Sequence, residues 1–359
     1  MIRKRYLFLI LAVLVLGISL TYIFAEIKSE EYEEMQVAAA KRMEESEKYL
    51  KEIILSKGIE IEEADINKTA LLGPEFTELT STPGEESAKR SALNPQFASA
   101  LIRYYHEAGL KKGDTIAVGA TGSFPGFVIA TLTSATTMGL KVKLIASVGS
   151  SMHGATRTDY TIFDIVNDLK EGDFADFDLV GVSCGSANDK GGGVLEDIFY
   201  TGSADLSREL CLAEAKKTGA EFIYKDTLAE SIQRRLELYG DDIKLFVNVG
   251  GASVNSGVST YAQSFPRGLV LDPPKLPKSA TMGLNYEFAS RGIPVINLLS
   301  VKQLCQDNGI LFDPVPLPSM YKGEKLEKVE CNKGIAIASL SIALAILILG
   351  VVDSKKRRK

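Results

Sequence analysis

DTIAVGATGSFPGFVIATLTSATTMG, residues 114–139, opens as a short apolar strand and closes as an apolar helix. Between them lies GATGSFPG, Gly119 to Gly126, a loop of small residues with one proline at the helix entrance. A strand, a glycine turn and a helix in that order is half of a β-α-β unit, the building block of a parallel sheet. Outward from this stretch the pattern repeats. Strands are predicted at Thr115–Val118, Val142–Ser147, Leu179–Ser183, Glu221–Tyr224, Lys244–Val249, Gly268–Leu271 and Pro294–Leu298. Several are unbroken apolar runs, as strands buried on both faces require. Helices are predicted at Phe124–Met138, Asp159–Leu169, Asp205–Thr218, Thr227–Tyr239, Ala280–Ser290 and Val301–Asn308. Asn94 before Pro95 marks an earlier helix start, running to about Ala108. The fold class implied is α/β, an open doubly wound and mostly parallel sheet with right-handed crossovers.

Three strands end in similar punctuation: GATGSFPG at Gly119, SCGSANDKGGG at Ser183 and NVGGASVNSG at Asn248. Loops at strand C-ends face the crevice where open α/β sheets bind ligands. Their N–H groups and the helix starts behind them favour an anion. Candidate ligand contacts are therefore Thr121, Gly122 and Ser123, then Ser186, Asn188 and Asp189, then Gly250, Gly251, Ser253 and Asn255. Tight strand-to-helix turns use glycine for shape alone, so one such loop would say little. Lys89 and Arg90 are a basic pair that would clamp a carboxylate, unless they only open a solvated helix. Ser123 is the best-placed nucleophile, and His153 is its candidate base, although a loop histidine without a catalytic role is the plainer reading. No nucleotide-binding fingerprint or Gly-x-Ser-x-Gly elbow is present. With two histidines and no Cys-x-x-Cys, neither a metal nor a cofactor is expected.

The chain of 359 residues has a net charge of −5. Tyr6 to Ala25 is a run of 20 uncharged residues behind Arg3, Lys4 and Arg5. Gly334 to Val352 is a second uncharged run, followed by Lys355 to Lys359, all basic. Each is long enough for a ~30 Å bilayer core at ~1.5 Å per residue. Basic clusters mark cytoplasmic ends. Both termini are therefore expected in the cytoplasm, with the rest outside the cell (inner) membrane. A cleaved signal peptide is the alternative for the first run, but Ile23 fits the cleavage rule badly. Between the runs 33 basic residues face 45 acidic ones, a balance of −12. That sign argues against a nucleic-acid partner and requires any anion to be held locally. Four cysteines, Cys184, Cys211, Cys305 and Cys331, permit disulfides outside the membrane but do not fix a pairing.

The organisation expected is a cytoplasmic tail (1–5), a transmembrane helix (6–25) and a charged juxtamembrane helix (26–63). An extracytoplasmic α/β domain (64–312), an extended linker (313–333), a second transmembrane helix (334–352) and a basic cytoplasmic tail (353–359) follow. Within the juxtamembrane helix Tyr32, Met35, Ala39, Ser46, Leu50 and Ile53 form a narrow stripe, suited to packing on its own domain or to a stalk. LDPPKLPKS, Leu271 to Ser279, reads as a proline-rich surface loop.

GPEFTELTSTPG, AKRSALNPQFASALIRYYHEAGLKKGD, AVGATGSFPGF, ASVGSSMHGA, YTIFDI, SCGSANDKGGG and NVGGASVNSG occur in this order between Gly73 and Gly257. Together they resemble the poly-gamma-glutamate system protein family, over nearly the whole chain. The resemblance implies an accessory membrane protein of poly-γ-glutamate (capsule polymer) synthesis or export. It also implies a poly-γ-glutamate synthase and its integral membrane partners as neighbours. It implies no catalytic residue set. Three functions stay open: binding of the anionic polymer or its end, a serine hydrolase or transferase acting on γ-glutamyl chains, and a structural subunit without a ligand.

Overall fold

The computed structural model describes residues 4–24, 26–28, 32–192, 202–258, 264–272, 282–319, 328–330 and 333–356. Gly193, Pro273 to Ser279, Cys331 and the last three basic residues lie outside them. The chain divides into two units, residues 34–324 and the terminal segments 1–33 and 325–359.

The elements run α1 (Lys4–Ile23), β1 (Glu26–Lys28), α2 (Glu33–Ser56), β2 (Thr80–Thr82), α3 (Glu86–Ala92) and α4 (Gln96–Glu107). Then come β3 (Thr115–Thr121), α5 (Pro125–Met138), β4 (Lys141–Ser147), β5 (Ser150–Ser151), α6 (Ile162–Glu171) and β6 (Asp178–Ser183). After a 3-10 turn at Ala187–Asp189 follow α7 (Ser203–Thr218), β7 (Glu221–Ile223), α8 (Leu228–Tyr239), β8 (Ile243–Val249) and α9 (Ser253–Ser256). The last are β9 (Gly268–Val270), α10 (Gly283–Ser290), β10 (Val295–Leu298), α11 (Val301–Asn308), β11 (Lys328–Glu330) and α12 (Lys333–Lys356).

The larger unit is α/β. Its main sheet has seven strands in the order β7-β6-β4-β3-β8-β10-β9. All neighbours are parallel except β10 and β9. All seven predicted strands and the predicted helices of this region are present, with shifts at their ends. One shift has a clear cause. Helix α6 starts three residues later than the periodicity suggests, because Thr161 and Asp164 form a capping box that fixes Thr161 as the cap.

Helix α5 is buried on every side, so its sequence carries no polar face. Pro125 at its first turn and Gly139 in the left-handed region (φ 70°) set its two ends. Gly126 lets it approach α3 closely, since a Cβ there would stand 2.4 Å from the Ala92 carbonyl oxygen. Asn94 caps α4 as its sequence suggests, accepting from Gln96 N at 3.0 Å. Helices α8 and α10 cover a face of the sheet through Tyr239, Phe246 and Phe288, the last two stacked at 4.7 Å. Each such ring contributes about 2–3 kcal/mol by burial. Helix α2 packs on this same unit, with Ser99 Oγ donating to Gln36 O at 2.8 Å. The start of the predicted linker also lies against it, where Asp313 meets Arg90 at 2.7 Å.

In the terminal unit, α1 and α12 are both long and apolar enough to cross a membrane. Their apolar side chains are mostly exposed, as a soluble core helix would not allow. They run antiparallel: Gly17 packs on Ser339, and Arg5 meets Asp353 at 3.2 Å. Strands β1 and β11 pair antiparallel beyond their other ends.

Candidate functional site

The strand order reverses at β3. The chain leaves β3 for β4, β6 and β7 on one side, then returns to β8 on the other. Loops after two such neighbours diverge and open a crevice at their C-terminal ends.

Short contacts tie these loops together. Gly250 has φ 99°, and a Cβ there would lie 2.2 Å from Thr121 Oγ1. Thr121 Oγ1 accepts from Ser123 N at 3.2 Å and donates to Val249 O at 3.3 Å. Asn255 Nδ2 donates to Gly119 O at 3.0 Å. Gly122 N donates to Gly149 O at 3.2 Å, and Gly149 N to Cys184 O at 3.0 Å. The resulting crevice of about 340 Å³ is lined by Thr121, Ser123, Phe124, Gly149, Ser151, Ser186 and Gly251 to Ser253, with Ser81 to Glu85 and Lys89 along one wall. All three glycine loops expected to converge contribute to it.

Among the described residues, Lys89 is the one cation lining this crevice. It is 2 % exposed. Its Nζ donates to the Ser123 carbonyl oxygen, stands 2.5 Å from Ser151 Oγ and lies 3.8 Å from the centre of the Phe124 ring. Burial lowers its pKa to about 7, and no carboxylate among the described residues acts against that shift. Ser123 Oγ accepts from Ser151 N at 3.1 Å. The two serines and the lysine therefore form one hydrogen-bonded group.

Other candidates are placed elsewhere. Arg90 points away from the crevice and is held bidentate by Asp313, at 2.7 Å on both oxygens, which raises its pKa. Successive helix residues project about 100° apart, so Lys89 and Arg90 do not clamp one ligand together. His153, with φ 60°, lies 3.6 Å from Glu86 and does not line the crevice. Asp189 forms a buried pair with Arg235 at 2.7 Å and accepts from Ser183 and Ser231, which makes it a brace under the loop. Asn188 is exposed, and Asn255 and Gly122 hold the loops without lining the crevice. Cys211 is buried and hydrogen-bonded to Cys184, which together with burial drives its pKa far up, so the Cys211 thiol is not a nucleophile at neutral pH.

Ser151 and the Ser81–Glu85 wall are missing from the candidates drawn from sequence. The signal for Ser151 was present. ASVGSSMHGA also follows a strand and carries Gly and Ser, so it is a fourth loop of the same kind. Comparisons with models of known families, with characterised proteins and with solved structures find no match.

Proposed function

We propose that this protein is a membrane-anchored, extracytoplasmic component of poly-γ-glutamate synthesis or export that holds the anionic polymer, or its end, in the crevice at β3 and β8. The observation that supports it most is Lys89, a buried amine without a carboxylate partner among the described residues, at the point where the glycine loops meet. An incoming carboxylate supplies the missing counter-charge. At ~4 Å and an effective dielectric constant of ~20 that attraction is about 4 kcal/mol before desolvation is charged against it. The acidic body repels a polyanion in general, so the holding must be local.

The resemblance supplies the pathway and the partners, a poly-γ-glutamate synthase and its integral membrane subunits. The sheet is read as doubly wound, with helices on both faces. Helices α1 and α12 are read as two transmembrane anchors with both termini cytoplasmic. The antiparallel helix pair and the flanking basic residues support that orientation.

Calorimetry on the full-length protein in detergent, titrated with a γ-glutamyl oligomer, tests the binding. Binding by the wild type and a roughly 10- to 100-fold loss in Lys89→Met are expected, the range for a charge-assisted hydrogen bond. Arg90→Lys should stay within a few-fold. Absence of both binding and cleavage by the wild type would leave the structural-subunit reading.

A further inference from the structure

We propose that Ser151 and Lys89 are a nucleophile and base for acyl transfer from an amide of the γ-glutamyl class, Ser151 Oγ attacking and Lys89 Nζ taking its proton. The placing of the substrate rests on the binding reading above; the pair itself rests on its geometry.

A neutral amine has two N–H groups and one lone pair. Here one N–H is used by the Ser123 carbonyl oxygen. The face of Phe124, 3.8 Å away, accommodates the second. As an ammonium, Lys89 Nζ donates to Ser151 Oγ at 2.5 Å; once neutral, its lone pair is left for the Ser151 hydroxyl in the same place. Burial keeps a large share of this lysine neutral near pH 7, the condition a lysine base needs. Ser151 is held by its own N–H, which donates to Ser123 Oγ at 3.1 Å. Ser123 is thus a positioning residue, and the nucleophile expected at Ser123 moves to Ser151. Gly84 packs over the pair, where a Cβ would stand 3.2 Å from both Ser151 Oγ and Lys89 Cε. Both Ser151 and Lys89 line the crevice. Phe124, in the same wall, is the residue that precedes Pro125 at the start of α5.

The step balances without a co-reactant other than water. Ser151 Oγ bonds to the amide carbon while its proton passes to Lys89. The tetrahedral intermediate collapses, the C–N bond breaks, and the Lys89 ammonium returns the proton to the leaving amine. Water, deprotonated by the neutral Lys89, cleaves the acyl-serine ester to a carboxylic acid and restores Ser151. A second amine in place of water gives chain transfer. The ammonium formed beside the oxyanion is the same charge that holds a carboxylate in the binding reading, so a free carboxylate end is both ligand and inhibitor.

The test uses the full-length protein in detergent with γ-glutamyl-p-nitroanilide, a fluorophosphonate probe and a γ-glutamyl oligomer. Release of p-nitroaniline is expected, rising with pH through about 7 as Lys89 loses its proton. Ser151→Ala should lower release by roughly a thousand-fold or more while oligomer binding stays within several-fold. The probe should label Ser151, and Lys89→Met should abolish labelling. Label on Ser123 instead, or release unchanged in Ser151→Ala, overturns the pair. Oligomer binding without labelling or release also overturns it and leaves the binding reading intact. Labelling and release at Ser151 without oligomer binding support the pair and remove the polymer from its account.

Discussion

At the scale of single residues, the contrast between Lys89 and Arg90 carries the account. Their types and adjacency are plain in the sequence, but their assignments are not. A short helix turns one side chain into the crevice and the other onto Asp313, and α3 itself has no periodic signature to announce this. Burial also changes the expected salt response. A clamp of two exposed cations would be screened, whereas an amine 2 % exposed is screened far less, so binding through Lys89 should depend weakly on ionic strength. The glycines were easier to read, because a turn with positive φ tolerates little else. Gly250 joins that requirement to a contact, since any Cβ meets Thr121. Gly250→Ala should therefore cost roughly 2–4 kcal/mol, from backbone strain plus displacement of Thr121, measurable by urea unfolding at fixed pH. A loss under 0.5 kcal/mol would mean that the β3 and β8 loops are not locked together as described.

At the scale of elements, the strands of the main sheet were legible because parallel strands buried on both faces are continuous apolar runs. Strands β2 and β5 were not. They are three and two residues long, TST and SS, and too short and polar to carry a period. Those two elements hold Ser81 and Ser151, so the sequence offered the Ser151 loop but hid the pairing that sets the Ser81 wall beside it. Helix α2 shows a related limit. It buries Gln36, Ser46 and Glu47 beside Ala39, Met43 and Leu50, so its inner face is wider and more polar than the apolar stripe suggested. Burial, then the nearby Glu44 and Asp65, raise the Glu47 carboxyl well above 4.5. The unfolded chain gives up this proton first, so stability falls as pH rises past about 4.5. Glu47→Gln removes that slope. It should stabilise the protein by about 1 kcal/mol or more at pH 7 and give no gain at pH 4, which chemical denaturation at the two values would check. Equal effects at both pH values would contradict a protonated Glu47.

At the scale of the whole molecule, the two apolar helices and the α/β body were readable from hydropathy and charge alone. The strand order was not, since apolar runs give no neighbours, and the crevice exists only because that order reverses at β3. The proposed orientation is open to a direct check. Cys184, Cys211 and Cys305 are buried, so in a Cys331→Ser background a cysteine at the fully exposed Asp226 would be the reactive thiol among the described residues. A membrane-impermeant maleimide should label it in intact cells once any outer membrane is permeabilised; labelling only after inner-membrane lysis would reverse the topology. The central claim is that a buried amine, without a carboxylate partner among the described residues, waits in the crevice for an anion. The Lys89 pKa, followed by the 13Cε shift in labelled full-length protein and assigned with Lys89→Met, tests this most directly. The account predicts a value of about 7 in the free protein and a clear rise when a γ-glutamyl oligomer saturates the site. A free-protein value near 10.5, or no change at saturating oligomer, would contradict it.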